Sequence, residues 1–399
     1  MKNAAFTKLL NGKKYLLLQG PMGPFFSELA SWLNSLERET INVVFNGGDR
    51  FYCRQRQVLT YLKPLSAFPD WLSEIYQQSG FDSILCFGDC RPLHQAAKCW
   101  AQDKHVRFMV FEEGYFRPNF ITLEEGGVNA YSLLPRDTEF YHALTASSPL
   151  AFNKIAASSV KRFAHAVWYC LMCGYHQHDF INYQHHKSIA IWYETKCLIR
   201  SCWRKVAYRL KQQSALNKIK KEMSGRYYLA ILQVYNDSQI FHHSPYTDIE
   251  DYIRSVILSF CQSAPQDSYL LFKHHPMDRG HRNYAQMIKS VSLKSGVSTR
   301  VIYVHDLPLD DLLSHTRAVV TINSTVGLQA LAKIKPLKVL GRAMYDIRGM
   351  TYQGCLDDFW LAKFQPDAIL ISKFEKYIRE NTQLNMEFYA RGKNRMIDK

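Results

Sequence analysis

The chain has 399 residues, which is long enough for two domains with sizeable hydrophobic cores. Hydrophobic residues make up 47% and charged residues 21%, as in an ordinary globular protein, and no run of about eighteen apolar residues is present to span a membrane. The formal net charge of +15 indicates a polyanionic partner such as nucleic acid, anionic lipid or a phosphorylated substrate, with a generally basic surface as the alternative.

The ten cysteines are scattered along the chain. Only Cys170 and Cys173 form a CxxC pair, and no second pair follows at zinc-finger spacing, so packing is favoured over a zinc site. The first twenty residues lack the apolar region and cleavage site of a signal peptide. Reduced cysteines without an export signal predict a cytoplasmic protein.

Residues 1–150 alternate short apolar runs with helical patterns, which predicts a doubly wound domain on a parallel sheet. The predicted strands are KYLLLQG, INVVFNGGD, SILCFG and VRFMVFEEGYF, and the predicted helices are Phe26–Leu36 and Arg91–Ala101. Ligands of such folds bind beyond the carboxyl ends of the strands. The loops expected to form the site are Gln19–Phe25, Asn46–Arg50, Gly88–Arg91 and Glu112–Thr122.

Residues 151–224 are rich in lysine, arginine and aromatic residues, and only Asp179 and Glu194 oppose the positive charge between residues 153 and 221. The spacing predicts two or three basic amphipathic helices. They are either a linker with a solvated basic face or helices that lie on an anionic membrane surface. The candidate membrane-binding residues are Arg200, Arg204, Lys205 and Arg209.

Residues 225–360 form a second predicted α/β domain, and residues 361–399 a helical tail. Its predicted strands are YYLAILQV, SYLLFKHHP, RVIYVHD, AVVTIN and PLKVLG, and a helix is predicted over Ser244–Phe260 with Ser244 or Asp248 near its start.

One motif of this domain is a strand followed by Asn323, Ser324, Thr325 and Gly327 at the start of a helix. Hydroxyls and free backbone N–H groups at a helix start are suited to binding an anion. The alternative is a helix cap with a glycine needed for close packing. The motif is not a Walker loop, because the lysine is missing.

Two further loops end strands of the same domain. Lys273, His275 and Pro276 lie where a proline stops the strand, and a cation with imidazoles there suits a phosphate leaving group better than a metal ion. Gln233, Asp237 and Ser238 lie in a loop of unusually dense polar side chains, which could also be simple turn capping.

The segment FEEGYFRPNFIT is the most suggestive stretch of the first domain. It places Glu112, Glu113, Gly114 and Arg117 at the end of a strand. A carboxylate there can act as base or nucleophile on a sugar, and an arginine can hold it or bind a substrate carboxylate. The alternative is a surface loop with a local Glu–Arg pair.

These segments, FEEGYFRP, ILQVYNDSQI, FKHHP and NSTVGLQAL in this order, resemble the capsule polysaccharide biosynthesis family, and within it the members with one catalytic module. The resemblance spans about residues 12–360. It implies a GT-B-like enzyme with two Rossmann-like domains facing a cleft and the basic helical segment inserted between them.

The resemblance further implies a retaining β-Kdo transferase that uses CMP-Kdo and adds Kdo to a phosphatidylglycerol-type lipid, starting the linker of an exported capsule. His275, Pro276, Ser324 and Thr325 match the family's CMP-binding motifs. Relatives with two modules carry an aspartate where this chain has Glu113. On this basis Glu113 is the expected nucleophile, with Glu112 on the other face of the strand.

The same interpretation predicts no cofactor and no metal ion, attachment to the inner membrane from the cytoplasmic side, and partners among other capsule proteins rather than nucleic acid. Two alternatives remain. One is a GT-B enzyme, such as one resembling a nucleotide-sugar 2-epimerase, without a lipid acceptor. The other is a non-enzymatic protein of capsule export and assembly, whose basic patch would bind phosphodiesters.

Overall fold

The computed structural model describes residues 3–145, 152–183, 191–235, 240 and 243–390. The helices are α1 (Ala4–Leu10), α2 (Phe25–Ser35), α3 (Gly47–Tyr52), α4 (Phe68–Ser79), α5 (Pro92–Asp103), α6 (Thr138–Ala143), α7 (Ser159–Tyr175), α8 (Ile191–Glu222), α9 (Ile249–Ser263), α10 (Ala285–Lys294), α11 (Leu309–His315), α12 (Val326–Ala332), α13 (Leu356–Phe359) and α14 (Ala368–Thr382).

The chain divides into two compact units. The first comprises Met1–Leu133, Ser147–Ile191 and Lys376–Lys399, and the second comprises Leu134–Ala146 and Trp192–Glu375. This division differs from the boundaries at 150, 224 and 360 expected from the sequence. The basic segment is shared between the units, because α7 packs on α3 whereas α8 belongs to the second unit.

The first unit is built on a seven-stranded sheet of order β12-β6-β5-β4-β1-β2-β3. Its strands are β1 (Lys14–Leu17), β2 (Glu39–Val44), β3 (Val58–Thr60), β4 (Ser83–Phe87), β5 (Arg107–Glu113), β6 (Ile121–Glu125) and β12 (Gln383–Leu384). The five strands from β5 to β3 are parallel, while β6 and β12 are antiparallel to their neighbours.

Helices cover both faces of this sheet, as expected for a doubly wound fold. One core joins alternate residues of β5 and β4 to α4 and α5, for example Val110 to Phe68 and Ala97. The other core joins the intervening residues to α1 and α2, for example Phe111 to Phe25. Burial on both faces explains why these strands read as continuous apolar runs.

The second unit has a five-stranded parallel sheet of order β11-β10-β7-β8-β9. Its strands are β7 (Tyr227–Ile231), β8 (Tyr269–Lys273), β9 (Val301–Val304), β10 (Ala318–Thr321) and β11 (Leu337–Val339). Asp248 caps α9 by accepting a bond from the Asp251 N–H at 2.8 Å, so the second of the two predicted caps is the one used. The predicted fold class, α/β with two Rossmann-like doubly wound units as in GT-B enzymes, is confirmed.

The C-terminal segment is more than the helical tail expected from the sequence. After α14, β12 pairs with β6 and extends the first sheet. The Gln383 side chain accepts a bond from the Tyr115 N–H at 2.9 Å and donates to Thr122 at 3.0 Å, so the segment is tied to the β5–β6 hairpin. In the described part of the chain, no helix combines the length and the hydropathy needed to cross a membrane.

Candidate functional site

Glu113 ends β5 and is held by two arginines. Its Oε1 accepts a bond from Arg162 Nη2 at 2.7 Å, and its Oε2 lies 3.8 Å from Arg117 Nη1. The side chain keeps 22% of its surface exposed, so a ligand can still reach it. The geometry therefore presents a carboxyl group, held in place by two arginines, at the carboxyl edge of the sheet.

Gly114, directly after Glu113, lies where the backbone of a neighbouring segment leaves no room for a side chain. A Cβ atom at this position would lie 1.8 Å from the carbonyl oxygen of Phe120, inside the backbone of the adjoining strand. Only glycine lets the chain leave β5 this close to Phe120, so that Glu113 can form the last pair of the β5–β6 ladder with Ile121.

The surroundings of Glu113 come from distant parts of the chain. Arg162 lies on α7, its guanidinium stands 4.9 Å from the centre of the Tyr389 ring, and it approaches Glu387 at 4.0 Å. Burial and the nearby Glu113 raise the pKa of Glu387. The sequence interpretation missed Arg162, Glu387 and Tyr389, and the only local indication of Arg162 was its place in a basic, aromatic helix.

Glu112 lies on the opposite face of β5, as the alternation of a strand predicts. Its Oε2 is directed towards Gly88, where an added Cβ atom would stand only 3.4 Å away. Burial raises the pKa of Glu112 to about 7, and the negative charges of Glu113 and Asp89 act in the same direction. A carboxyl with such a pKa can accept or donate a proton at neutral pH.

The four loops predicted for the first unit do meet at one edge of the sheet. Gln19, after β1, donates to Asp49 at 3.0 Å, and Arg91, before α5, donates to Gln19. Tyr169 of α7 donates to Asp49 at 2.7 Å, which fixes that helix to the edge. This polar network is anchored at the point where β1 pairs with β4 on one side and β2 on the other, the switch point at which ligands of such sheets bind.

In the second unit, Gln233 and Asn323 join the loops after β7 and β10. The Gln233 amide donates to Asn323 Oδ1 at 3.0 Å, and its oxygen accepts from the Asn323 N–H at 3.3 Å. Since β7 pairs with both β10 and β8, this contact lies at the switch point of the second sheet. Asp237 and Ser238, also predicted to bind the donor, lie outside the described residues.

Ser324 and Thr325 follow Asn323 and are partly exposed at this edge. The Tyr345 hydroxyl donates to the Ser324 carbonyl at 2.5 Å, and an added Cβ atom on Gly327 would stand 2.4 Å from the same hydroxyl. Gly327 is thus needed so that Tyr345 can pack beneath the loop. The helix that follows, α12, has only seven residues.

Lys273, His275 and Pro276 are close in sequence, but the structure gives them different surroundings. Lys273 is 7% exposed, and its ammonium donates to the carbonyls of His274 at 3.2 Å and of His305. Burial lowers the pKa of Lys273 to about 8 and that of His274 to about 3. His275 and Pro276 are the members of the motif that reach the surface. Lys273 therefore fastens two loops together rather than facing solvent.

Helix α8 has an inner and an outer face, and the four predicted membrane-binding residues are divided between them. Arg204 Nη1 donates to the Arg279 carbonyl at 2.7 Å and Arg200 Nη1 to the Gly280 carbonyl at 3.2 Å, so both hold the loop that follows His275 and Pro276. Arg204 is partly buried, whereas Arg200, Lys205 and Arg209 are exposed.

Within the described residues, no group of three histidine, cysteine, aspartate or glutamate side chains is arranged to hold a metal ion. In the first unit the structure brings Arg117 to Glu113, while Glu112 lies on the other face of the same strand end. In the second unit, Gln233 meets the loop that carries Ser324, Thr325 and Gly327. The structure shows His275 at the same edge of the second sheet, two strands from Ser324.

Comparison with known proteins gives the family. The chain is 56% identical to the capsule polysaccharide export protein KpsS of Escherichia coli, over 98% of this chain and 100% of that protein. It is 35% identical to the capsule polysaccharide modification protein LipB of Neisseria meningitidis, over 98% and 95% of the two chains. Among solved structures, the β-Kdo 2,7 transferase of Thermosulfurimonas dismutans KpsC is 13% identical, with a TM-score of 0.41 over 94% of this chain and 91% of that one.

Residues 82–389 match the family described as capsule polysaccharide biosynthesis protein, and this range includes both carboxylates of β5 and the loops of the second sheet. With the KpsS and LipB relatives covering the chain almost end to end, the protein belongs to the capsule polysaccharide biosynthesis family.

Proposed function

We propose that the protein transfers Kdo from CMP-Kdo to a phosphatidylglycerol-type lipid, which starts the linker on which capsule polysaccharide is exported. The observation that carries the proposal is the pair of carboxyl groups at the end of β5: Glu113 is held by two arginines, and burial raises the pKa of Glu112 to about 7. Membership of the family and the four motifs supply the expected donor and acceptor.

The carboxylate pair suits a double displacement. Glu113 attacks the anomeric carbon of Kdo, the bond from that carbon to the phosphate oxygen breaks, and CMP leaves with the bonding electrons. A lipid hydroxyl then attacks the same carbon, its proton passes to Glu112, and the ester to Glu113 breaks. Two inversions retain the anomeric configuration.

The arginines around Glu113 serve this sequence of steps. Arg162, at 2.7 Å, orients the nucleophile, and Arg117, at 3.8 Å and half exposed, is suited to bind the carboxylate that Kdo itself carries. In the second unit, the hydroxyls of Ser324 and Thr325 and the imidazole of His275 are suited to the cytidine phosphate. Lys273, Arg200 and Arg204 position the loop that carries His275.

The outer face of α8 supports attachment to an anionic membrane. Its exposed apolar residues recur at helical spacing and form a ridge: Ile199, Trp203, Val206 and Leu210. Trp203 has 69% of its surface exposed. Exposed lysine and arginine residues flank the ridge on both sides, with Lys205 and Arg209 on one and Lys196 and Lys211 on the other. An apolar ridge between basic flanks is typical of a helix lying in the membrane interface.

The direct test incubates the purified full-length protein with CMP-Kdo and phosphatidylglycerol vesicles, and follows the lipid by mass spectrometry. We expect the lipid to gain one Kdo for each CMP released, with and without EDTA. Phosphatidylcholine vesicles are the control, because that head group has no free hydroxyl. Transfer only to a soluble sugar acceptor would point to an enzyme without a lipid acceptor, and vesicle binding without any CMP affinity to an assembly protein.

Donor binding is tested separately with His275→Ala and Ser324→Ala. Each should weaken CMP binding about fivefold by calorimetry, because each removes a polar contact worth about 1 kcal/mol. Ser298→Ala is the matched control, since Ser298 is exposed on the second unit. Unchanged CMP affinity in both variants would remove these residues from the donor site.

A further inference from the structure

A large cavity in the first unit lies at the switch point of its sheet. It encloses about 600 Å³ between the ends of β1 and β2, the loop after β3 and the start of α5. Gln19, Tyr61, Arg91 and Tyr183 are among its lining residues. Because β1 pairs with β4 on one side and β2 on the other, this is where a doubly wound sheet opens a crevice for a ligand.

The cavity combines cations with hydrogen-bonding groups. Arg91 and Lys63 both line it. Arg91 donates to Gln19, and Gln19 in turn donates to Tyr183 at 3.0 Å, so these side chains are fixed before any ligand arrives. His94, also in the lining, is 1% exposed and donates through Nδ1 to the Gly88 carbonyl at 2.6 Å, which leaves its Nε2 as an acceptor. This set matches a phosphate with a neighbouring hydroxyl.

The rim of the cavity is apolar. Leu65 and Ile181 line it and keep 45% and 83% of their surfaces exposed, and Leu62 beside them keeps 49%. Exposed leucine and isoleucine side chains around a cationic cavity fit an amphiphile whose anionic end enters and whose chains leave across the rim. A small soluble phosphate has no apolar part that could contact this rim.

We propose that this cavity is the binding site for the glycerophosphate head group of the lipid acceptor, with the phosphate at Arg91 and Lys63 and the first acyl carbons on Leu65 and Ile181. The proposal rests on the proposed function for the acceptor's identity, but not for the cavity's chemistry. His94 of the lining donates to the Gly88 carbonyl, and Glu112 Oε2 is directed towards the same Gly88, so the bound head group would lie near the carboxyl that takes its proton.

The experiment measures binding and transfer separately, with short-chain dioctanoyl-phosphatidylglycerol as the probe. Arg91→Gln and Ile181→Asp should each weaken its binding at least tenfold by calorimetry and raise its KM in the transfer assay, while CMP affinity stays unchanged. Lys104→Gln, an exposed lysine just beyond the end of α5, is the matched control and should behave as the wild type. Glycerol phosphate without acyl chains should bind far more weakly and be indifferent to Ile181→Asp.

The outcomes separate the two proposals. Kdo transfer that is insensitive to Arg91→Gln, Lys63→Gln and Ile181→Asp would overturn the cavity as the acceptor site and leave the proposed function standing. Lipid binding that depends on these residues without any Kdo transfer would uphold the site and overturn the function. Equal affinity for glycerol phosphate and for the lipid would show that the rim binds no acyl chain, and would also overturn the proposal. Melting temperatures of all variants identify any that fail to fold.

Discussion

The carboxyl edges of the two sheets differ in chemistry. The first edge gathers carboxylates and arginines, and its groups Glu113 and Arg117 keep contact with solvent. The second edge buries its cation and imidazoles: Lys273 is held by backbone carbonyls, and burial lowers the pKa of His274 and of His305 to about 3. Charge at the first edge is therefore available to react, whereas charge at the second fixes loops.

The difference changes how the histidine-rich motif is understood. A cation next to a strand end had suggested direct contact with the leaving phosphate. Instead His305 stacks on Tyr208 of α8 with ring centres 3.9 Å apart, and Gln212 accepts from the His305 N–H at 3.0 Å. The buried groups hold the loops in place, and His275 and the Ser324 loop are the parts expected to contact the ligand. Reactive and supporting polar residues can thus be told apart by exposure and partners, not by residue type.

The largest effect is expected from replacing Glu113 at the first edge. Glu113→Gln should lower kcat for Kdo transfer at least ~1000-fold, because it removes the proposed nucleophile and with it the covalent step. CMP affinity, measured by calorimetry, should be unchanged. Glu139→Gln, at an exposed glutamate in the second unit, is the control. Near-normal turnover by Glu113→Gln would place the nucleophile elsewhere, with Glu112 next to be tested.

The second prediction uses the pH profile. Because Glu112 must be ionised to accept the hydroxyl proton, and its pKa is about 7, kcat/KM should rise with pH up to about 7 and then level off. Glu112→Gln should lower kcat/KM about 100-fold at pH 8 and abolish that rise. A profile that keeps the same acid limb in Glu112→Gln would assign the limb to another group.

Helix α8 offers a comparison between adjacent residues. Trp203→Glu on the outer ridge should reduce co-sedimentation with phosphatidylglycerol vesicles at least tenfold and leave CMP affinity intact, since burying such a side chain contributes roughly 1.5–3 kcal/mol. Arg204→Ala should weaken CMP binding and leave vesicle binding intact, because it frees the Arg279 carbonyl beside the donor loop. If Arg204→Ala weakens vesicle binding as much as Trp203→Glu does, the two faces do not have separate tasks.

Much of this organisation could be predicted from local sequence. Buried parallel strands appear as apolar runs, and the polar residues directly after them must share one edge, so the loops around Gln19, Gly88 and Glu112 were correctly grouped. The alternation of β5 also assigned Glu112 and Glu113 to opposite faces. Such features depend on neighbours along the chain, and a single sequence carries them.

Features that depend on distant contacts were out of reach. Arg162 meets Glu113 across 49 residues, and β12 adds only two residues to a sheet begun by β1, so neither leaves a periodic pattern. The two faces of α8 are a different case. The spacing of Ile199, Trp203, Val206 and Leu210 was visible in the sequence. Positive charge was counted along the helix and not around it, so Arg204, which donates to the Arg279 carbonyl, was grouped with Lys205 and Arg209.

The smallest expected effect is that of Glu112→Gln on stability. The variant that loses activity should gain stability. The pKa of Glu112 is about 7 in the folded protein, above the 4.5 of an exposed glutamate. The folded state thus binds the proton more tightly than the unfolded state does. The stability this contributes is complete below about pH 4.5 and is lost as the pH rises to about 7.

Glu112→Gln keeps a neutral side chain throughout, so it should escape that loss. We expect its melting temperature to match that of the wild type near pH 4.5 and to exceed it by a few degrees at pH 8, on the order of 1 kcal/mol. Glu139→Gln should follow the wild-type curve. If Glu112→Gln is inactive and yet more stable at pH 8, the Glu112 carboxyl lowers the stability of the fold at that pH. Its retention in the wild type would then reflect the need of the reaction for a proton acceptor. A stability difference that is absent, or largest at low pH, would mean that Glu112 is ionised well below neutrality and cannot be the base.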